Sequence, residues 1–309
     1  MNRTRPIRRA VLLAASLAVL ALGASACSAA STGGGSTTPG GTAAIPVVAA
    51  ENFYGDLLSQ LGGPYVSVTS VITSPDADPH LFEPGTATGL AISRARLVVM
   101  NGVGYDAFMT KLIDATPSPG RVVVDVGQAL GVTGTEANPH LWYDVPRLPT
   151  IAAALTAGLT KADPAHAAYF AAAKERFVTS LAPLDAAVAA IKARYAGTPV
   201  AYTEPVPGYL IEAAGLTNAT PPAFALAIEN GNEPSPQATA AMEGLLTGKK
   251  VKVLMYNTQT VDQITERLRT LAAANGIPVV GVSETMPAHT TFQAWQTGQV
   301  VALQEALAR

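Results

Sequence analysis

From residue 45 onward the chain repeats one unit, a short run of β-branched and apolar residues followed by a helix-like stretch. Runs at 45–49, 66–72, 96–100 and 121–126 alternate with helical patterns at 52–61, 86–93 and 105–113. A second series has runs at 199–203, 251–256 and 278–283, with helical patterns at 208–214, 260–274 and near 292–307. Strands this short and apolar, separated by helices, belong to parallel sheets covered on both faces. The expected fold class is therefore α/β, with two lobes, each a parallel sheet flanked by helices. A length of 309 residues fits that division, at roughly 130 to 150 residues per lobe.

Between the two series, Asp163-Pro164 opens about 30 residues that contain no Gly or Pro except Pro183. Asp suits a helix N-cap and Pro suits the first helical position. A continuous helix as far as Tyr195 would be roughly 45 Å long, a rod joining the lobes, and Pro183 is where it would kink or break in two. The expected organisation is an N-terminal lobe over 45–160, a linking helix over 161–196 and a C-terminal lobe over 197–309.

What precedes residue 45 reads as an address. Arg3, Arg5, Arg8 and Arg9 form a basic region, 11–22 an apolar stretch, and Gly23-Ala24-Ser25-Ala26 a small-residue stretch ahead of Cys27. This is the pattern of a secretory signal peptide over 1–26, too short in its apolar part to stay in a bilayer as a spanning helix. Cys27 is the chain's only cysteine, which excludes a disulfide framework and a Cys-rich zinc site. Its position resembles that of the lipid-bearing cysteine of bacterial lipoproteins, with Ala24 where Leu is usual. Residues 27–44, rich in Gly, Ser and Thr and without charge, are expected to be a flexible tether. The chain is thus expected outside the cytoplasm, held at a membrane through lipid on Cys27, on the outer face or the periplasmic side. After residue 26 there remain 16 basic and 22 acidic groups, a poor balance for a nucleic-acid partner.

Ligands of open α/β sheets bind beyond the carboxyl ends of the strands. Four loops read as following strands carry Asp78-Pro79-His80-Leu81-Phe82-Glu83-Pro84, Asn138-Pro139-His140-Leu141-Trp142-Tyr143-Asp144, Glu204-Pro205 and Glu284-Thr285. Two imidazoles and two carboxylates suit a divalent transition metal. Glu83 and Asp144 are candidate acceptors for the imidazole nitrogens that do not ligate. His166 falls in the first turn of the linking helix and is expected to be solvated, while His289 lies in a polar loop as an outside candidate.

These motifs resemble the metal-binding solute-binding lipoproteins of bacterial ABC transporters. So do Asn101-Gly102, Asp163-Pro164 with Tyr169, Thr203-Glu204 followed by Gly208-Tyr209-Leu210, and Glu233-Pro234-Ser235-Pro236. The resemblance spans about residues 45–308. It implies two α/β lobes joined by a rigid helix and one divalent metal held between them as cargo. It implies a monomer that is not an enzyme, with a permease and its ATPase as partners. His80 and His140 would ligate from the first lobe, Glu204 and Glu284 from the second. The chain lacks the His-rich insertion of many zinc-type members between 126 and 138, which puts Mn²⁺ ahead of Zn²⁺, with Fe²⁺ third. Asn138 stands where Asp is usual and is expected to touch the loop, not a ligand; Glu284 stands where Asp is more common. Two rival readings are a zinc hydrolase using the His-x-x-Glu spacing of His80 and Glu83, and a surface adhesin.

Overall fold

The computed structural model describes residues 43–75, 79, 82–134 and 137–309. The leader, Cys27 and most of the tether lie outside the described residues, as do Asp78, His80 and Leu81 of the first Pro-His motif.

Two four-stranded parallel sheets form the frame. The first contains β1 (Ile45–Glu51), β2 (Val66–Ile72), β3 (Leu97–Met100) and β4 (Val122–Asp125) in the order β2-β1-β3-β4. The second contains β5 (Pro199–Tyr202), β6 (Thr217–Asn218), β7 (Leu254–Asn257) and β8 (Val279–Val282) in the matching order β6-β5-β7-β8. In each sheet the chain goes to one side of its first strand and then to the other. The order therefore reverses between β1 and β3 and between β5 and β7, and a crevice opens beyond those strand ends. The two-residue β6 has too little apolar length to show in the sequence.

Around the first sheet lie α1 (Asn52–Gly62), α2 (Thr86–Arg94), α3 (Ala107–Ala115), α4 (Val126–Leu130) and α5 (Leu148–Ala162). The connector follows as α6 (Ala167–Ser180) and α7 (Ala182–Tyr195). Around the second sheet lie α8 (Gly208–Ala213), α9 (Pro222–Glu229), α10 (Pro236–Thr247), α11 (Gln263–Ala274) and α12 (Phe292–Leu307). Ser235 caps α10, its hydroxyl accepting from Ala238 N at 3.2 Å, with Pro236 at the first helical position. The Glu233-Pro-Ser-Pro motif is thus a helix start.

Within 161–196, after the end of α5 at Ala162 and a 3-10 turn at Pro164–His166, the connector is α6 and α7 with a break at Leu181, not one straight rod. Pro183 has no amide hydrogen to return to the preceding turn, so the helical ladder is interrupted where the ring enters. Asp163 does not cap the connector through its side chain. Its Oδ2 instead lies 2.6 Å from His166 Nδ1, and the His166 ring stacks on Tyr65 at 3.7 Å. His166 is therefore packed rather than solvated, because an aromatic neighbour and an acid at i−3 both claim it.

The described residues belong to one compact unit, and one apolar core runs through both sheets. The lobes meet at an aromatic wall. Phe53 of α1 stacks on Trp142 with ring centroids 4.3 Å apart, and Trp295 of α12 lies 6.2 Å from both Phe53 and Tyr143. Burying such a ring contributes on the order of 4–5 kcal/mol before ordering costs. Polar bonds fix the register beside it: Asn52 Nδ2 donates to Met286 O at 2.7 Å, and Met286 N donates to Asn52 Oδ1 at 2.9 Å.

Candidate metal centre

Glu204 is two residues beyond β5 and Glu284 two beyond β8, so the second sheet delivers both carboxylates to its carboxyl edge. His140 arrives differently from the expectation that a strand ends just before it. After β4 come α4 and a loop, and a short 3-10 turn at Leu141–Tyr143 follows the histidine. Asn101, just past the end of β3, fixes that loop. Its Nδ2 donates to the Pro139 carbonyl at 2.8 Å, and its Oδ1 accepts from Tyr54 Oη at 2.8 Å. This is what the Asn101-Gly102 motif does: the side chain reaches the histidine loop, and Gly102, at φ 76°, leaves the space that Asp125 occupies.

His140, Glu204 and Glu284 converge from the two lobes, all three at most 1% exposed. His140 Nε2 lies 3.6 Å from Glu284 Oε2 and has no hydrogen-bond partner among the described residues. Asn257, the last residue of β7, donates its amide to Glu284 Oε1 at 2.8 Å and to Glu204 Oε2. Tyr105 donates its hydroxyl to Glu284 Oε2 at 2.8 Å, and Gln259 Oε1 accepts from Glu284 N at 2.5 Å. Among the described residues no group of three or more His, Cys, Asp or Glu donors is gathered tightly enough to hold an ion by itself. The Asn257 amide separates the carboxylates, its hydrogens shared between them.

Electrostatics match this picture. Burial, and then the Glu284 charge, push Glu204 up to about 8. Burial alone would lower His140, but Glu229, Glu284 and Glu204 outweigh it and hold the imidazole above its ordinary value. Burial, followed by Glu284 and Glu51, holds Tyr105 well above the usual phenol range, so it stays a neutral donor. Such a site is short of positive charge, and a divalent cation would supply it.

The side chains that sequence reading assigned to support do other work. Glu83 is exposed to solvent, not buried against His140. Asp144 Oδ2 accepts from Arg147 Nε at 2.5 Å. The acceptor that holds His140 is Asn138, whose Oδ1 lies 2.7 Å from His140 Nδ1, so this departure from the family pattern touches a candidate ligand directly. His289 is exposed, in a left-handed conformation at φ 60°. Asn257, Tyr105 and Glu51 were missed. Two of them had a readable signal: Glu51 ends β1 and Asn257 ends β7, the strand ends nearest the order reversals. Glu51 is fully buried, faces Asp106 and has its carboxyl raised well above the usual range by burial and then by that neighbour. Tyr105 had no such mark, since only the tertiary contact with Glu284 reveals it.

Replacing Tyr105 with Phe removes one bond that orients Glu284. We expect divalent-metal affinity to fall about three- to tenfold, the net value of one ordinary intramolecular hydrogen bond. Competition against a chelating dye measures it, and unchanged affinity would mean that Glu284 keeps its orientation without Tyr105.

Residues 47–306 match the family described as zinc-uptake complex component A, periplasmic. The chain belongs to that family. It is 26% identical over 171 residues to the manganese-binding lipoprotein MntA of Halalkalibacterium halodurans, a match covering 54% of this chain and 55% of that protein. It is 24% identical over 152 residues to the MntA of Bacillus subtilis, covering 46% and 48%. The chain thus spans about half the length of these curated relatives. Its fold is that of the periplasmic zinc-binding protein TroA from Treponema pallidum (TM-score 0.74, 21% identity, 86% of this chain and 100% of that one). It is equally that of Pseudomonas aeruginosa FpvC in complex with Mn²⁺ (TM-score 0.72, 21% identity, 86% and 98%).

Proposed function

We propose that this family member is the extracytoplasmic solute-binding component of an ABC-type importer. It captures one divalent transition metal between its lobes and delivers it to a membrane permease with its ATPase. The observation that carries this reading is His140. A fully buried imidazole whose Nε2 has no hydrogen bond among the described residues, 3.6 Å from Glu284 and near a second buried carboxylate that shares its amide donor, supports a cation between them. His80 completes the proposed ligand set with His140, Glu204 and Glu284.

Two carboxylates beside two imidazoles suit Mn²⁺, Zn²⁺ or Fe²⁺, and we rank the cargo in that order. Isolated protein should nonetheless hold Zn²⁺ more tightly than Mn²⁺, as the Irving–Williams order requires. The names of the relatives, manganese-binding for MntA and zinc-binding for TroA, support a divalent cargo. A cleft of about 710 Å³, lined by Tyr105, Asn138, Tyr202, Pro205 and Glu229 among others, offers a path in. The protein acts as a monomer, tethered by residues 27–44 to lipid on Cys27; among the described residues no helix is long and apolar enough to cross a membrane.

The decisive experiment is metal analysis of protein purified from its own envelope without chelators, paired with metal uptake in a deletion strain under limitation. One bound divalent ion and lost uptake are expected. Metal-free protein with unchanged uptake, where no paralogue substitutes, refutes the importer role. Mass spectrometry of the native N-terminus should find a lipidated Cys27, and an unmodified chain starting elsewhere refutes the anchor.

A further inference from the structure

We infer that Asn138 is a positioning residue that sets the His140 tautomer and, with the same amide, ties the histidine loop to the Glu204 loop of the opposite lobe. The inference rests on the metal-site reading above and extends it.

The chemistry of the neighbours orients this amide unambiguously. The His140 backbone N–H can only donate, and it lies 3.1 Å from Asn138 Oδ1. The Pro205 carbonyl can only accept, and it lies 2.9 Å from Asn138 Nδ2. Oxygen must therefore face the histidine and nitrogen must face the proline. With oxygen on its side, His140 Nδ1, at 2.7 Å, has to carry the proton. Nε2 is then the nitrogen with the lone pair, and it is the one beside Glu284.

The far end of the amide holds the other lobe. Pro205 directly follows Glu204, and its carbonyl also accepts from Gly208 N at 2.9 Å, closing a turn at the start of α8. A Cβ on Gly208 would stand 2.6 Å from Asn138 Nδ2, so glycine there lets the amide in. Tyr209 Oη donates to Asn138 O at 2.9 Å, gripping the same residue from the next position. A carboxylate at 138 could serve the imidazole but would set oxygen against the Pro205 carbonyl. Only an amide satisfies both sides.

Isosteric replacement separates the two roles, with the full chain, metal-free, read by ¹⁵N histidine NMR and by amide hydrogen exchange over 203–210. The wild-type chain should show His140 protonated at Nδ1 and a slowly exchanging turn. Asn138→Asp should keep that tautomer while the turn exchanges about tenfold faster, since the donor to Pro205 is gone. Asn138→Ala should mix the tautomers, speed the turn equally and weaken Zn²⁺ binding about tenfold to a hundredfold. Gly208→Ala, which leaves Asn138 in place but crowds its amide, should speed exchange in the flanking residues as Asn138→Asp does. The inference is overturned if Asn138→Ala leaves a single Nδ1-protonated tautomer, or if neither Asn138→Asp nor Gly208→Ala loosens the turn. His140→Ala tells the two levels apart: Zn²⁺ binding that survives it refutes the site itself, whereas binding lost there but unaffected by Asn138→Ala refutes only the positioning role.

Discussion

Alanine at His140 is expected to abolish the rise in melting temperature that a divalent metal gives the wild-type chain. Two proposed ligands come from each lobe, so the ion acts as a cross-link present only in the folded state. Such a ligand stabilises by RT ln(1 + [L]/Kd), about 4 kcal/mol at a roughly thousandfold excess over Kd. For a chain of this size that corresponds to a rise of roughly 10 °C. His140 brings a nitrogen donor that no neighbour replaces: Asn138 is already committed to the opposite face of the ring, and Trp142 and Tyr105 present only ring edges and faces. Glu204→Ala and His80→Ala should likewise lose most of the rise. Glu284→Ala should keep part of it, because water can take one carboxylate position. Differential scanning with and without Mn²⁺ or Zn²⁺ measures all four. A full rise in His140→Ala would put the metal elsewhere.

The second large effect is a pH dependence that the metal removes. Glu204 is pushed up to about 8 and Asp106 to about 6, both first by burial, and Glu51 is raised well above its usual range. The same groups ionise near pH 4 in the unfolded chain. From about pH 4.5 to about 8 the folded chain therefore holds protons that the unfolded chain has lost, and stability falls as pH rises. His140 acts in the same direction, since its raised value stabilises only while the ring keeps its proton. For Glu204 alone the loss is on the order of 4 kcal/mol across the window. A bound cation takes the place of the protons on Glu204 and His140, so the loaded protein should lack most of this slope, while the part due to Glu51 and Asp106 remains in both forms. Melting temperatures at pH 5 to 8, in chelator and in excess metal, check it. A metal-free chain that grows more stable with rising pH over this range contradicts the assignment.

Part of this architecture is legible in the residues alone. The alternation of apolar runs and helices implies two parallel sheets because strands buried on both faces have no other way to be covered. Glu204 and Glu284 follow such runs directly, so the rule that ligands bind beyond strand carboxyl ends marks them from their place in the chain. His140 stands out through its Pro-His motif, although α4 and a loop separate it from β4. Pro183 marks the place where the connector could fail as a rod, since a missing amide hydrogen is a property of the residue itself.

Tertiary structure decided what depends on partners distant in the chain. Asn257 bridges Glu204 and Glu284 across 53 and 27 residues of sequence, and Tyr105 reaches Glu284 across 179. Asn257 is marked only by its place at the end of β7, which does not say that it joins two carboxylates, and nothing local marks Tyr105. The role of Asn138 is local on one side only: its oxygen serves His140 two residues on, whereas its nitrogen bonds Pro205 67 residues away. An amide acquires a direction only from the donor and acceptor that face it, and here those are His140 in one lobe and Pro205 in the other.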